Sequence, residues 1–178
     1  MPLVLLTGGA RSGKSAAAQR LAEAAGSEVT LIATGEALDE EMAERIRQHR
    51  EARPSSWRTI EEPLDLLGAL GHVDAPGTVV IDCLTLWVSN LLGKGATDEE
   101  IVADAERVAA AAGSRSGRTI VVTNEVGLGI VPFEPETRRY RDLLGRVNTI
   151  VSDAAEKTGF LVAGRVLWLD ERFDGDLP

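Results

Sequence analysis

The clearest chemistry in this 178-residue chain lies in eight consecutive residues near its start. Gly8-Gly9-Ala10-Arg11-Ser12-Gly13-Lys14-Ser15 fits the pattern GxxxxGK[ST] in full. The apolar run 3–7 leads into it, and Ala16-Ala17-Ala18-Gln19-Arg20-Leu21 opens a strong helix behind it. Small residues let the backbone close round phosphates, with amide hydrogens and the helix N-terminus aimed at the anion. In such a cradle Lys14 reaches the β- and γ-phosphates of a nucleoside triphosphate, and the Ser15 hydroxyl meets a Mg²⁺ ion. A glycine-rich turn that matches by chance is the plain alternative, and the strand and helix in register weigh against it. The apolar run Thr78-Val79-Val80-Ile81-Asp82 ends in a carboxylate, the pattern that supplies a second group to the metal. Asp82 is the expected partner of Mg²⁺, directly or through water; an Asp that only caps the helix starting near Leu84 is the competing reading.

Two histidines occur. His72 lies in the turn-rich stretch 70–77 and reads as a solvated loop residue. His49 falls near the end of a helical stretch, 40–53, that Pro54 stops. Met42, Ala43 and Ile46 share a face at spacings of three and four, with His49 at its margin. Arg45, Arg50 and Arg53 lie close to the histidine in sequence or helical spacing, and could hold phosphate oxygens bidentately beside a nucleophilic imidazole. Interleaved with Glu41, Glu44 and Glu51, the same arginines also compose an ordinary solvated face. The residues alone leave these two readings level.

Composition narrows the field. Hydrophobic residues are 44% and charged residues 26%, ordinary for a globular chain with a sizeable core. The net charge of −9, from 19 basic against 28 acidic residues, argues against general nucleic-acid binding. A triphosphate site must then be locally basic within an acidic body. No apolar run approaches the roughly 20 residues of a membrane span, and the start has no basic segment before its short apolar run. A cytoplasmic location is the expectation. Cys83, the one cysteine, reads as a buried, inert thiol in an apolar stretch.

Apolar runs at 3–7, 29–34, 78–82, 119–123 and 160–163, with an edge strand at 166–169, alternate with helical stretches. Helices are expected at 14–25, 40–53, 64–70, 84–92, 98–112 and 136–157. Near-continuous apolar runs suit a parallel sheet covered on both faces. The expected fold is α/β: a RecA-like P-loop sandwich whose mostly parallel central sheet is flanked by helices. Residues 1–170 read as a single nucleotide-binding domain, and 171–178 as a polar tail.

Several segments together resemble the bifunctional adenosylcobinamide kinase / adenosylcobinamide-phosphate guanylyltransferase family of cobalamin biosynthesis. They are Thr7 to Ser15, Ile32-Ala33-Thr34, Asp39 to Ile46, His49-Arg50-Glu51-Ala52-Arg53-Pro54, Trp57-Arg58-Thr59, Val122 to Pro132 and Gly145-Arg146-Val147-Asn148. The P-loop is shared by countless NTPases; the histidine segment and Thr123-Asn124-Glu125-Val126-Gly127-Leu128-Gly129-Ile130-Val131-Pro132 are far more specific.

The resemblance implies two reactions. A nucleoside triphosphate, GTP or ATP, phosphorylates the aminopropanol hydroxyl of adenosylcobinamide. GTP then guanylylates a histidine, which falls on His49, and GMP passes to adenosylcobinamide phosphate to give adenosylcobinamide-GDP. The family's nucleotide contacts fall on the P-loop, on Ala33-Thr34-Gly35, on Arg50, Glu51, Ala52 and Arg53, on Glu61 and on Asp82. Glu61 would suit the guanine N1 and N2 donors. The resemblance also implies a homo-oligomer. The family usually has Glu where this chain has Asp82, which keeps the charge on a shorter arm. The glycine-bearing segment 124–132 suits a loop over the site or a plain connection, and Arg138, Arg139, Arg141 and Arg146 suit an acceptor-facing or a salt-bridged helix. A monofunctional small-metabolite kinase without a covalent intermediate, and a non-catalytic nucleotide-responsive regulator, are the competing functions.

Overall fold

A computed structural model describes residues 3–37, 39–51, 53–74 and 76–169, with the side chain of Arg45 left out. The elements are β1 (Leu3–Gly8), α1 (Lys14–Glu23), β2 (Val29–Ala33), α2 (Glu40–Glu51), β3 (Arg58–Glu61), α3 (Leu66–Gly71) and β4 (Thr78–Asp82). They continue with α4 (Leu84–Gly93), α5 (Asp98–Ser114), β5 (Thr119–Val122), α6 (Pro135–Ala154), β6 (Lys157–Val162) and β7 (Arg165–Leu169). The strands form a seven-stranded sheet in the order β3-β2-β4-β5-β1-β6-β7. All neighbours pair in parallel except β6 with β7.

The sequence dictates this layering. β1, β4 and β5 carry unbroken apolar runs and are buried at nearly every position, so both faces of the sheet are covered. One core joins the sheet to α3, α4, α5 and α6, with Trp87, Ile101, Leu144 and Val147 almost wholly buried. A smaller core joins the other face to α1 through Ala18 and Ala22. Local signals set the helix starts: Asp39 accepts from the amide of Met42 at 2.7 Å, and Thr97 with Glu100 forms a capping box on α5. His72 is exposed in the turn that closes α3, as expected of a solvated loop residue, with Nδ1 2.8 Å from the carbonyl oxygen of Gly68.

Two elements differ from the reading of the sequence. β3 is an additional strand; with one apolar residue in four and β2 as its single neighbour, it carries no burial pattern to betray it. The last helix stops at Ala154 instead of 157, because the Glu156 amide donates to the Leu3 carbonyl at 2.9 Å and β6 starts at once, pairing Lys157 with Val4. Polar Lys157 and Thr158 hid that start. The turn into β7 uses positive φ at Ala163 and Gly164, as tight antiparallel hairpins do. Residues 171–178, read as a tail, lie outside the described residues.

Gly8 ends β1 at a φ of 146°, and a Cβ there would collide with the carbonyl oxygen of Leu161. Gly8→Ala is expected to destabilise the protein by about 2–4 kcal/mol in urea unfolding, from backbone strain plus overpacking.

Cys83, expected to be a buried and inert thiol, is half-buried, packed against the smaller core at the start of α4. Burial first, and the Asp82 charge second, push its pKa from the ordinary 9.0 up to about 11. The folded state therefore holds this proton more tightly than the unfolded one, a contribution intact below pH 9 and lost as pH rises toward 11. At pH 8 the native thiol should react with iodoacetamide roughly 100-fold more slowly than the urea-unfolded thiol, the thiolate ratio for two pKa units. A native alkylation rate that climbs around pH 9 would contradict this.

Candidate active site

Register builds the site. Glu61, Ala33, Asp82, Val122 and Leu6 are successive Cα partners across β3, β2, β4, β5 and β1, so they form one row at the carboxyl edge of the sheet. Ligands of open parallel sheets bind beyond this edge. β1 continues two residues past the row to Gly8, where the phosphate loop begins.

Residues Gly8 to Ser15 form that loop and the first turn of α1. Gly13, at the N-cap, has φ 99° and passes close to Gly164, while the Gly164 amide donates to the Ser12 carbonyl at 2.9 Å. The β6–β7 turn thus braces the loop from outside. The Lys14 ammonium is buried and donates to the carbonyls of Gly8 at 2.9 Å and Gly9 at 2.6 Å, with the Ser12 hydroxyl 3.4 Å away. Burial lowers its pKa, and the Cys83 and Asp82 groups oppose the shift. Ala10 and Arg11 form the exposed outer rim.

The Ser15 hydroxyl donates to Asp82 Oδ2 at 3.0 Å. A hydroxyl and a carboxylate converging beside a phosphate cradle fit Mg²⁺, which takes one or two protein oxygens and fills its other positions with water and phosphate. The shorter Asp82 therefore reaches the serine. No group of three or more His, Cys, Asp or Glu side chains suited to a metal occurs among the described residues.

The end of β2 is fixed by buried polar bonds. Thr34 donates its hydroxyl hydrogen to the Cys83 carbonyl at 2.7 Å and accepts from the Cys83 amide at 2.8 Å. Asn90, buried on α4, donates to the carbonyls of Thr34 at 2.8 Å and Pro63 at 3.2 Å. Gly35 then leaves room for Ile46, whose Cδ1 would lie 3.3 Å from a Cβ built there. By this contact α2 docks on the loop after β2.

The last turn of α2 hangs over the same edge. Arg50 is paired with Glu61 at the end of β3. Arg53 is half-buried and within electrostatic reach of Asp82, Arg50 and Glu61; burial lowers its pKa, and the two carboxylates oppose that. His49, beside Arg50 in the last turn of α2, is exposed and makes no hydrogen bond among the described residues. Glu51 is drawn into a pair with Arg47 at 2.6 Å, which Glu44 completes. Ala52 lies outside the described residues.

The segment after β5 is tied at its root and exposed at its tip. The Asn124 amide donates to Thr85 Oγ1 at 2.8 Å, Asn148 donates to the Asn124 carbonyl at 3.0 Å and accepts from Thr123 at 2.7 Å. The Glu125 amide reaches the Gly8 carbonyl at 3.1 Å, joining this segment to the phosphate loop. Beyond it Ile130 is 97% exposed and Phe133 90%. Arg138 donates to the carbonyls of Pro132 and Phe133, and Arg139 pairs with Asp98, so these two hold structure. Arg141 and Arg146 line a groove of about 820 Å³ between α5, α6 and this segment.

Thr85, Asn90 and Asn148 support the site without having stood out as functional residues. Asn90 carried a signal, a polar residue on the buried face of an otherwise apolar helix.

Residues 4–169 match the model of the family described as cobinamide kinase / cobinamide phosphate guanyltransferase. The chain is 45% identical over 163 residues to the bifunctional adenosylcobalamin biosynthesis protein CobP of Pseudomonas aeruginosa, covering 90% of this chain and 92% of that protein. It is 40% identical over 176 residues to the bifunctional adenosylcobalamin biosynthesis protein CobU of Escherichia coli K12, covering 91% and 96%. Among solved structures it is similar to the RadB recombinase, with a TM-score of 0.51 and 15% identity over 89% of this chain and 73% of that one. That likeness concerns the fold, a P-loop NTPase sandwich of the RecA type. The chain belongs to the cobinamide kinase / cobinamide phosphate guanyltransferase family, bifunctional enzymes of cobalamin biosynthesis.

Proposed function

We propose that this chain phosphorylates adenosylcobinamide with a nucleoside triphosphate, and then transfers GMP from GTP to the product through a GMP-histidine at His49. In the first step the acceptor hydroxyl oxygen bonds to the γ-phosphorus as the β–γ bridging bond breaks, and the nucleoside diphosphate departs. In the second, a ring nitrogen of His49 with its lone pair free bonds to the α-phosphorus and pyrophosphate leaves with the electrons of the α–β bond. An oxygen of cobinamide phosphate then displaces the imidazole, giving adenosylcobinamide-GDP and restoring the histidine.

One observation carries this reading. The Arg50–Glu61 pair, with Arg53 set near Asp82, holds the His49 turn above the edge where the phosphate loop ends. The P-loop amides and Lys14 bind the phosphates, Arg50 and Arg53 offer planar donors to further phosphate oxygens, and Glu61 accepts from guanine N1 and N2. Ser15 and Asp82 hold Mg²⁺, which when bound neutralises developing phosphate charge. The enzyme works in the cytoplasm, where nucleoside triphosphates are made; no described helix is long and apolar enough to cross a membrane. The exposed Ile130, Val131 and Phe133 support assembly into a homo-oligomer.

His49 is exposed and has no hydrogen-bond partner among the described residues to orient it, which favours a second reading, a kinase without the covalent step. Incubation with GTP labelled in the α-phosphate separates the two. The protein should take up one acid-labile, base-stable GMP, His49→Ala should take up none, and phosphorylation of adenosylcobinamide should survive the substitution. A wild-type protein that stays unlabelled while its kinase activity is intact leaves the kinase reading alone.

Glu61→Gln should weaken the preference for GTP over ATP in the labelling reaction by about 10–100-fold, the worth of hydrogen bonds to a charged acceptor. Equal loss for both nucleotides would assign Glu61 to holding Arg50 instead.

A further inference from the structure

The two proposed transfers strike different phosphorus atoms, yet the chain has one P-loop motif. In a P-loop the lysine and the metal sit at the β- and γ-phosphates, so a triphosphate held for γ-transfer turns its γ end toward Asp82. Asp82 ends β4, two strands from β1 on one side; β6 adjoins β1 on the other. The nucleoside of that triphosphate therefore extends toward β6, away from α2 and Glu61.

A cleft lies there. It measures about 370 Å³ and is lined by the outer rim of the phosphate loop, including Arg11 and Ser12, by Leu128 after β5, and by Phe160, Leu161 and Val162 of β6. Its volume falls at the lower end of small-molecule sites, roughly 300–1,000 Å³. Its walls are chiefly apolar with one aromatic ring, the surface on which a purine face packs. Leu128 is 80% exposed and Val162 56%, apolar side chains that a bound base would cover.

Guanylyl transfer requires the opposite arrangement. The α-phosphorus must face His49, so the base lies toward Glu61 and the departing pyrophosphate occupies the loop. A nucleoside placed over β6 would put its α-phosphorus on the wrong side of the loop for His49.

We propose that the loop accepts triphosphates in two opposed orientations, and that the cleft over β6 is the nucleoside site of the kinase step. This rests on the function proposed above. In the kinase orientation the acceptor oxygen bonds to the γ-phosphorus, the β–γ bridging bond breaks, the nucleoside diphosphate keeps the electron pair in the cleft, and the hydroxyl proton passes to solvent.

Filling the cleft from its two exposed walls tests the idea. Val162→Trp and Leu128→Trp are each compared with wild type for the KM of ATP in cobinamide phosphorylation, and for the GTP concentration that half-saturates GMP labelling. A rise in kinase KM of about tenfold or more, equivalent to about 1.4 kcal/mol, in at least one variant with unaltered labelling is expected. Glu61→Gln should shift labelling and spare the kinase KM. An unchanged kinase KM in both tryptophan variants, or equal weakening of both reactions, overturns the second site. A wild-type protein that takes no GMP defeats the function proposed above instead, and the kinase KM still decides the cleft.

Discussion

Parallel pairing around β4 is the constraint on which the site depends. Asp82 is level with Ala33 on one side and Val122 on the other, and Val122 is level with Leu6. At roughly 4.8 Å between strands, Asp82 stands about 10 Å across the sheet from β1. The hydrogen bond from Ser15, on the helix behind the loop, closes that gap. A slip of one residue in β4 would turn its apolar side chains to the wrong face and withdraw the carboxylate, so core packing and the position of the charge are fixed together.

Around that row, buried polar groups hold the loops by satisfying one another. Thr34 is tied to Cys83, Asn90 spans Thr34 and Pro63, and Asn148 ties Thr123 to Asn124. Each of these carbonyls and amides would be costly to bury alone, and together they rigidify the edge. The loops that carry chemistry are thus fixed at their roots, while exposed apolar and charged side chains occupy their tips.

Much of this was legible in the sequence, and what escaped did so for physical reasons. The phosphate loop needed neither packing nor partners to be read, since its geometry is local and its glycines are demanded by backbone conformation. β4 announced itself by continuous apolarity. β3 did not, because an edge strand with polar side chains looks like a loop until β2 supplies its hydrogen bonds. The position of His49 was equally hidden. It follows from Ile46 meeting Gly35 and from Arg50 meeting Glu61, contacts that periodicity cannot express. Arg138 and Arg139 read like their neighbours Arg141 and Arg146, yet the first two are spent on carbonyls and on Asp98, while Arg141, paired with Asp142, and Arg146 line a groove.

The loop and the helix above it are held very unequally. The P-loop is gripped by β1, by the β6–β7 turn and by its own lysine. None of the described side chains of α2 belongs to either core; only Met42 and Ile46 among them are partly sheltered, and its pair with Glu61 lies between side chains 57% and 58% exposed. An exposed pair of that kind contributes at most about 1 kcal/mol. Shifting α2 by a few ångströms therefore disrupts little packing, whereas shifting the phosphate loop breaks the sheet edge. For the proposed chemistry at two different phosphorus atoms this division is apt: the phosphate chain meets a fixed cradle, and the histidine proposed as nucleophile rides on an element that shifts cheaply.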